Sequence, residues 1–132
     1  MKDGLWYFAH PYTVKDRDGK NIYLAEEANF NLCCMRSLEL LKIGYSIYSP
    51  IAHTHPMHVR EPEFLKRGEY LTWINLDNKF IANTKFKGII MAPEWEKSNG
   101  CTDERNHFKS KGLTIKLYSN IIKNETINAS GI

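Results

Sequence analysis

Apolar residues fall along the chain in two forms, short unbroken runs and longer stretches with a helical period. LWYFA at residues 5–9 is an apolar run stopped by His10-Pro11, which predicts a strand buried on both faces. From Tyr23 to Lys42 the residues Leu24, Ala28, Leu32, Met35, Leu38 and Leu41 recur three or four apart. That stripe predicts a helix packed on a sheet, with Gly44 as its C-terminal cap. YSIYS at 45–49 is a second strand, ended by Pro50. IAHTHPMHVREP holds three His and two Pro without a helical stripe and is read as a loop of functional length. A second helical region is expected from near Pro62, a favoured first helical position, to about Asn83, broken near Gly68. FKGIIMA at 86–92 is a third strand, and the turn-rich PEWEKSNG leads to a helix from about Cys101 to Lys111. Gly112 and a fourth strand, LTIKLYS, follow, and residues 121–132 read as a polar tail after one domain spanning 1–120.

Strands alternating with helices give right-handed crossovers onto a parallel sheet. The expected fold class is therefore α/β, a single-domain open doubly wound sheet of flavodoxin or Rossmann type with helices on both faces. Ligands bind such sheets beyond the carboxyl ends of the strands. The segments to inspect are His10 to Thr13, Pro50 to His58, and Ala92 to Glu104.

A length of 132 residues with 42% hydrophobic and 25% charged residues is that of one ordinary globular domain, and excludes disordered and coiled-coil classes. No apolar run is long enough to cross a bilayer, and MKDGLWYFAHPY has no secretory layout, so a cytoplasmic protein with no membrane partner is expected. The formal charge of +3, spread along the chain, does not call for a nucleic-acid polymer as partner. Cys33, Cys34 and Cys101 make an odd count that suits reduced thiols.

Dinucleotide, P-loop, hydrolase-elbow and zincin fingerprints are all missing. The third crossover carries more. Ser98-Asn99-Gly100 turns into a helix with Glu104 close behind, and a helix start offers free amides that hold a phosphate or carboxylate. Asp103 and Glu104 also read as ordinary first-turn acids. Asp77, in WINLDNKF, is either a solvated helix residue or the second acid of a catalytic pair. Tyr7 sits among residues that should be buried, so its hydroxyl needs a partner: a carbonyl, a water, or a catalytic carboxylate. His53, His55 and His58 suggest metal ligands only weakly, since no Cys or carboxylate stands at ligand spacing; base stacking or phosphate contact suits them better. Trp73 and Trp95 are core or rim residues, or an aromatic face for a nucleobase.

Four stretches together resemble the nucleoside 2-deoxyribosyltransferase-like superfamily, and in particular its compact bacterial and phage-type members. They are YFAHPY at 7–12, SPIAHTHP at 49–56, the W-x-x-x-D of Trp73 and Asp77, and SNGCTDE at 98–104, where Ser98, Gly100 and Glu104 reproduce S-x-G-x-x-x-E. The likeness runs from Tyr7 to about Tyr118. It implies cleavage or exchange of the N-glycosidic bond of a nucleoside or nucleoside 5′-monophosphate, with no cofactor. By resemblance Glu104 is the nucleophile, Asp77 the acid at the base, and Tyr7 the residue that orients Glu104. Ser98, Asn99 and Gly100 are assigned to the phosphate, and His10, Pro11, His53 and Trp95 to the rest of the substrate pocket. A homo-oligomer is implied as well. The alternative kept beside it is a non-catalytic nucleotide-binding or sensor module on the same fold.

Overall fold

The computed structural model describes residues 2–60 and 70–130. Four strands, β1 (Leu5–Ala9), β2 (Ser46–Tyr48), β3 (Phe86–Met91) and β4 (Thr114–Leu117), form one all-parallel sheet in the order β2-β1-β3-β4. The order reverses between β1 and β3, the point where such sheets open a crevice at their carboxyl edge. Five helices are described: α1 (Tyr23–Ile43), α2 (Pro50–His58), α3 (Tyr70–Asn83), α4 (Asn99–Ser110) and α5 (Tyr118–Ser130). The architecture is the single-domain, Rossmann-like α/β fold that the alternation of elements predicts. No helix among the described residues is long and apolar enough to cross a membrane.

The two-residue period of β1 divides the core. Trp6 and Phe8 face α1 and α5, where they meet Cys33, Leu40, Tyr45, Ile90 and Ile121. Tyr7 and Ala9 face α3 and α4, where they meet Ile81, Phe86, Ile89, Met91, Cys101 and Phe108. Both layers are dry, and each large aliphatic side chain moved there from water is worth about 1.5–3 kcal/mol. Gly88 on β3 is required by close approach: a Cβ there would meet the Thr114 carbonyl oxygen, and the Trp6 ring at 2.7 Å.

Three expectations are corrected. On α1 the residues turned inward are Glu26, Cys33, Ser37 and Leu40, whereas Leu24, Leu32, Met35, Leu38 and Leu41 are exposed. The helix is where the stripe predicts it, capped by Gly44 at φ 114° with its N–H on the Leu40 and Leu41 carbonyls, but the stripe faces away from the sheet. The segment read as a loop is helix α2, because the Ser49 hydroxyl accepts the Ala52 N–H as N-cap and Pro50 occupies the first position, where no amide donor is needed. The expected tail is helix α5, which runs straight through the expected boundary at residue 120. Ile121 and Tyr118 hold it on the core, and Lys2 reaches Glu125 at 3.2 Å. The proposed helix start at Pro62 and the break at Gly68 lie outside the described residues.

Candidate active site

Four side chains converge on the α3–α4 side of the sheet at the carboxyl ends of β1 and β2. Tyr7 on β1 pairs in register with Tyr48 on β2, so both rings stand on the same face, with centroids 6.1 Å apart. The Tyr7 ring is fully buried and packed edge-on to Phe86 and against Phe108. Its hydroxyl donates to Oε2 of Glu104 on α4, the partner a buried phenol requires. Asp77 projects from α3, half-buried, with Oδ1 out of contact with water and without a hydrogen-bond partner.

Burial controls the acid–base properties of this group. Loss of hydration pushes Glu104 up to about 8; the Tyr7 hydrogen bond pulls the other way, and the charges of Asp77 and Asp103 add to the rise. Burial alone lifts Asp77 to about 6. Tyr7 is held well above the usual phenol range by burial and then by the charges of Glu104 and Asp77. Tyr48 rises for the same reasons, burial first, then Asp77 and Glu104. Glu104, Tyr7 and Tyr48 thus each feel the charge of Asp77. The two carboxyls, at about 6 and about 8, straddle neutrality, the condition under which one can act as acid and the other as base.

The start of α4 lies beside them. Ser98 caps the helix, its Oγ accepting the Cys101 N–H at 3.2 Å, and the first helical bond runs from Thr102 N–H to the Ser98 carbonyl. The N–H groups of Asn99 and Gly100 belong to the first turn, where a helix supplies no carbonyl for them. A Cβ at Gly100 would meet only the Ser98 hydroxyl, at 3.9 Å, so the turn is open to an approaching anion. Cys101, buried two turns before Phe108, is pushed up to about 12 by burial, which leaves its thiol protonated and unreactive.

The remaining expected pocket residues divide. Trp95 packs against this face with the Arg105 guanidinium 5.1 Å from its ring. His53 is exposed, but its Nδ1 lies 3.1 Å from the Tyr48 hydroxyl and its ring meets Phe80 edge-on. His10 is a correction. Strand alternation turns it to the opposite face with Phe8, where Nδ1 bonds the Pro11 carbonyl at 2.8 Å and Nε2 accepts from Arg36 Nη1 at 2.9 Å. Burial, the chief cause, holds its pKa down. Both ring nitrogens and the Pro11 carbonyl are committed to structure, away from Glu104. The three imidazoles of α2 also part company: His55 bridges Tyr12 and Glu27 at 2.6 Å each, and His58 lies 3.9 Å from Glu26 and edge-on to Trp73.

Tyr48 and Phe80 were not among the expected site residues. Tyr48 stacks on Phe80 at 4.6 Å on the β2 side of the two acids. The carboxyl-edge rule points to residues after each strand, and Tyr48 is the last residue within one. Two cavities at the opposite, amino-terminal edge of the sheet are lined by Lys85, Phe86 and Leu113 and contain neither acid.

A family model described as a domain of unknown function, DUF1937, matches residues 4–120. No curated protein matches the chain.

Proposed function

The chain belongs to the DUF1937 family, whose description names no function, and we propose from the geometry of its site that it is an enzyme cleaving the N-glycosidic bond of a nucleoside or nucleoside 5′-monophosphate. The reading resembles that of the nucleoside 2-deoxyribosyltransferase-like superfamily. The observation that supports it best is the buried Glu104 carboxyl, held by the Tyr7 hydroxyl and electrostatically coupled to Asp77 beside an open helix start.

In this reading Asp77, protonated, gives its proton to a ring nitrogen of the leaving base. The C1′–N bond breaks with its electron pair passing to the base, and the Glu104 carboxylate bonds C1′ as oxocarbenium charge develops there. Water then attacks C1′, releasing Glu104 and giving its proton to the Asp77 carboxylate, which restores the starting state. A second base in place of water gives transfer instead of hydrolysis. The 5′-phosphate sits at the Ser98–Gly100 turn, where the amides and helix dipole meet it. Tyr7 is a positioning residue, fixing Glu104 in one rotamer. Free thiols at Cys33, Cys34 and Cys101 suit a reducing, cytoplasmic setting.

One observation favours a second reading, a module that binds nucleotide without turnover. With Glu104 near 8 and Asp77 near 6, the shared proton rests on Glu104 before substrate binds. Moving it to Asp77 costs about 3 kcal/mol, the equivalent of two pH units. Thermal shift and base release together separate the two. An enzyme frees base from at least one of a panel of nucleosides and monophosphates. A binding module gains stability with the same compounds and frees none.

A further inference from the structure

One face of α3 holds two polar atoms that the fold itself does not use. Trp73 and Asp77 stand one turn apart and Phe80 follows at i+7, so the three side chains share that face of the helix. It looks toward α2 and β2: His58 meets Trp73 edge-on at 5.6 Å between centroids, His53 meets Phe80 edge-on at 5.5 Å, and Tyr48 stacks on Phe80. Among the described residues, Trp73 Nε1 and Asp77 Oδ1 are both shut off from water and both lack a hydrogen-bond partner. Folded chains pair nearly all their buried polar groups, and orphans cost stability, so two on one turn of one helix point to a ligand that supplies the partners. The indole N–H can only donate. Asp77, carrying the proton it gives to the leaving base, donates as well.

We propose that Trp73 and Asp77 together read the edge of the leaving base, and that the site takes bases with a carbonyl oxygen beside an unprotonated ring nitrogen. The inference rests on the glycosidic reading above and adds the choice of base to it. Asp77 needs a ring nitrogen with a free lone pair, and one helical turn away the Trp73 N–H needs an acceptor. Guanine and hypoxanthine present N7 beside O6, and cytosine presents N3 beside O2. Adenine sets an amino group beside both N7 and N1, so it would meet the indole donor to donor, and its N3 has no carbonyl neighbour. Thymine and uracil carry carbonyls beside N3, but that nitrogen already holds a proton. A fixed buried donor rejects a competing donor strongly, because the wrong base leaves both N–H groups buried and unpaired. Trp73 is then a specificity residue: it touches the base and moves no proton, and its loss flattens the choice among bases without abolishing release.

The test pairs base release with equilibrium binding by calorimetry, on the full chain, for the 2′-deoxynucleoside 5′-monophosphates of hypoxanthine, guanine, cytosine, adenine and thymine. In wild type the first three should exceed adenine and thymine at least about tenfold in kcat/KM and in affinity. The monophosphate of unsubstituted purine, with only C–H where hypoxanthine has its carbonyl, should fall between hypoxanthine and adenine, a ranking that needs no variant. Trp73→Phe keeps a ring and removes the donor. With far-UV circular dichroism matching wild type, it should bring the hypoxanthine-to-adenine ratio to within about threefold of unity. Adenine or thymine handled by wild type as well as hypoxanthine, or a ratio untouched in Trp73→Phe, overturns the inference and leaves the glycosidic reading in place. Selective binding with no base released upholds the inference and overturns that reading. Neither binding nor release of any compound overturns both.

Discussion

Replacing Tyr7 by Phe removes one oxygen from the centre of the site and little else. The ring keeps its contacts with Phe86 and Phe108, 5.5 and 5.4 Å away between centroids, so neither a cavity nor a collision results. What is lost is the hydroxyl that donates to Glu104. Burial and the charges of Asp77 and Asp103 push the Glu104 proton affinity up, and the Tyr7 hydrogen bond is what pulls it down. A hydrogen bond to a charged group is worth about 1.5–3 kcal/mol, and one pH unit is 1.36 kcal/mol, so the carboxyl should rise by about one to two units. Carbon-13 titration of labelled glutamate carboxyls reads this directly, with Glu104→Gln identifying the resonance. Wild type should titrate near 8 and Tyr7→Phe at roughly 9 to 10. A midpoint that stays in place or moves down in the variant refutes the claim that Tyr7 holds the ionised form.

Other outcomes follow from the same geometry. Glu104 binds its proton more tightly folded, at about 8, than its ordinary 4.5, so its contribution to stability is complete below 4.5 and is lost as the pH rises through 8. Urea melts should therefore show wild type losing up to a few kcal/mol relative to Glu104→Gln between about pH 5 and 9, and parallel curves would contradict the assignment. Gly88→Ala drives a Cβ into the Thr114 carbonyl and the Trp6 ring, and should cost about 3 kcal/mol or more by the same melts. Ser98→Ala removes the cap of α4 and should cost about 1 kcal/mol, most of it restored by Ser98→Thr. On the proposed reaction Ser98→Ala should also raise KM for a monophosphate more than for the free nucleoside; equal changes would remove the turn from phosphate binding.

The strands and their crossovers were legible because apolar runs between Gly and Pro leave few alternatives, and the carboxyl-edge rule then directed attention to Glu104. The helical period located α1 but chose the wrong face. Apolar spacing reports that a stripe exists, and only tertiary packing decides whether the sheet or another surface receives it. Glu26 and Ser37 on the inward side give no sign of burial in a single sequence. The helix α2 was hidden because Pro56 and three His read as breakers, while Ser49, its cap, read as the end of a strand. The helix α5 was hidden because its anchor is small, Tyr118 and Ile121 in an otherwise polar stretch. His10 was open to a better reading: with Tyr7 and Ala9 on one face, the two-residue period sends it to the other. That the charge of Asp77 reaches Glu104 was not written in any local pattern. It was reached through resemblance, and α3 and α4 packing on one face of the sheet bring it about.

Whether these two acids share one proton and break a glycosidic bond with it is read from free base released as a function of pH. Base should appear from at least one nucleoside or 5′-monophosphate, with kcat/KM forming a bell whose limbs fall near 6 and 8. Glu104→Ala should lose about a thousandfold or more. No base from any compound at any pH, or undiminished release by Glu104→Ala, would contradict it.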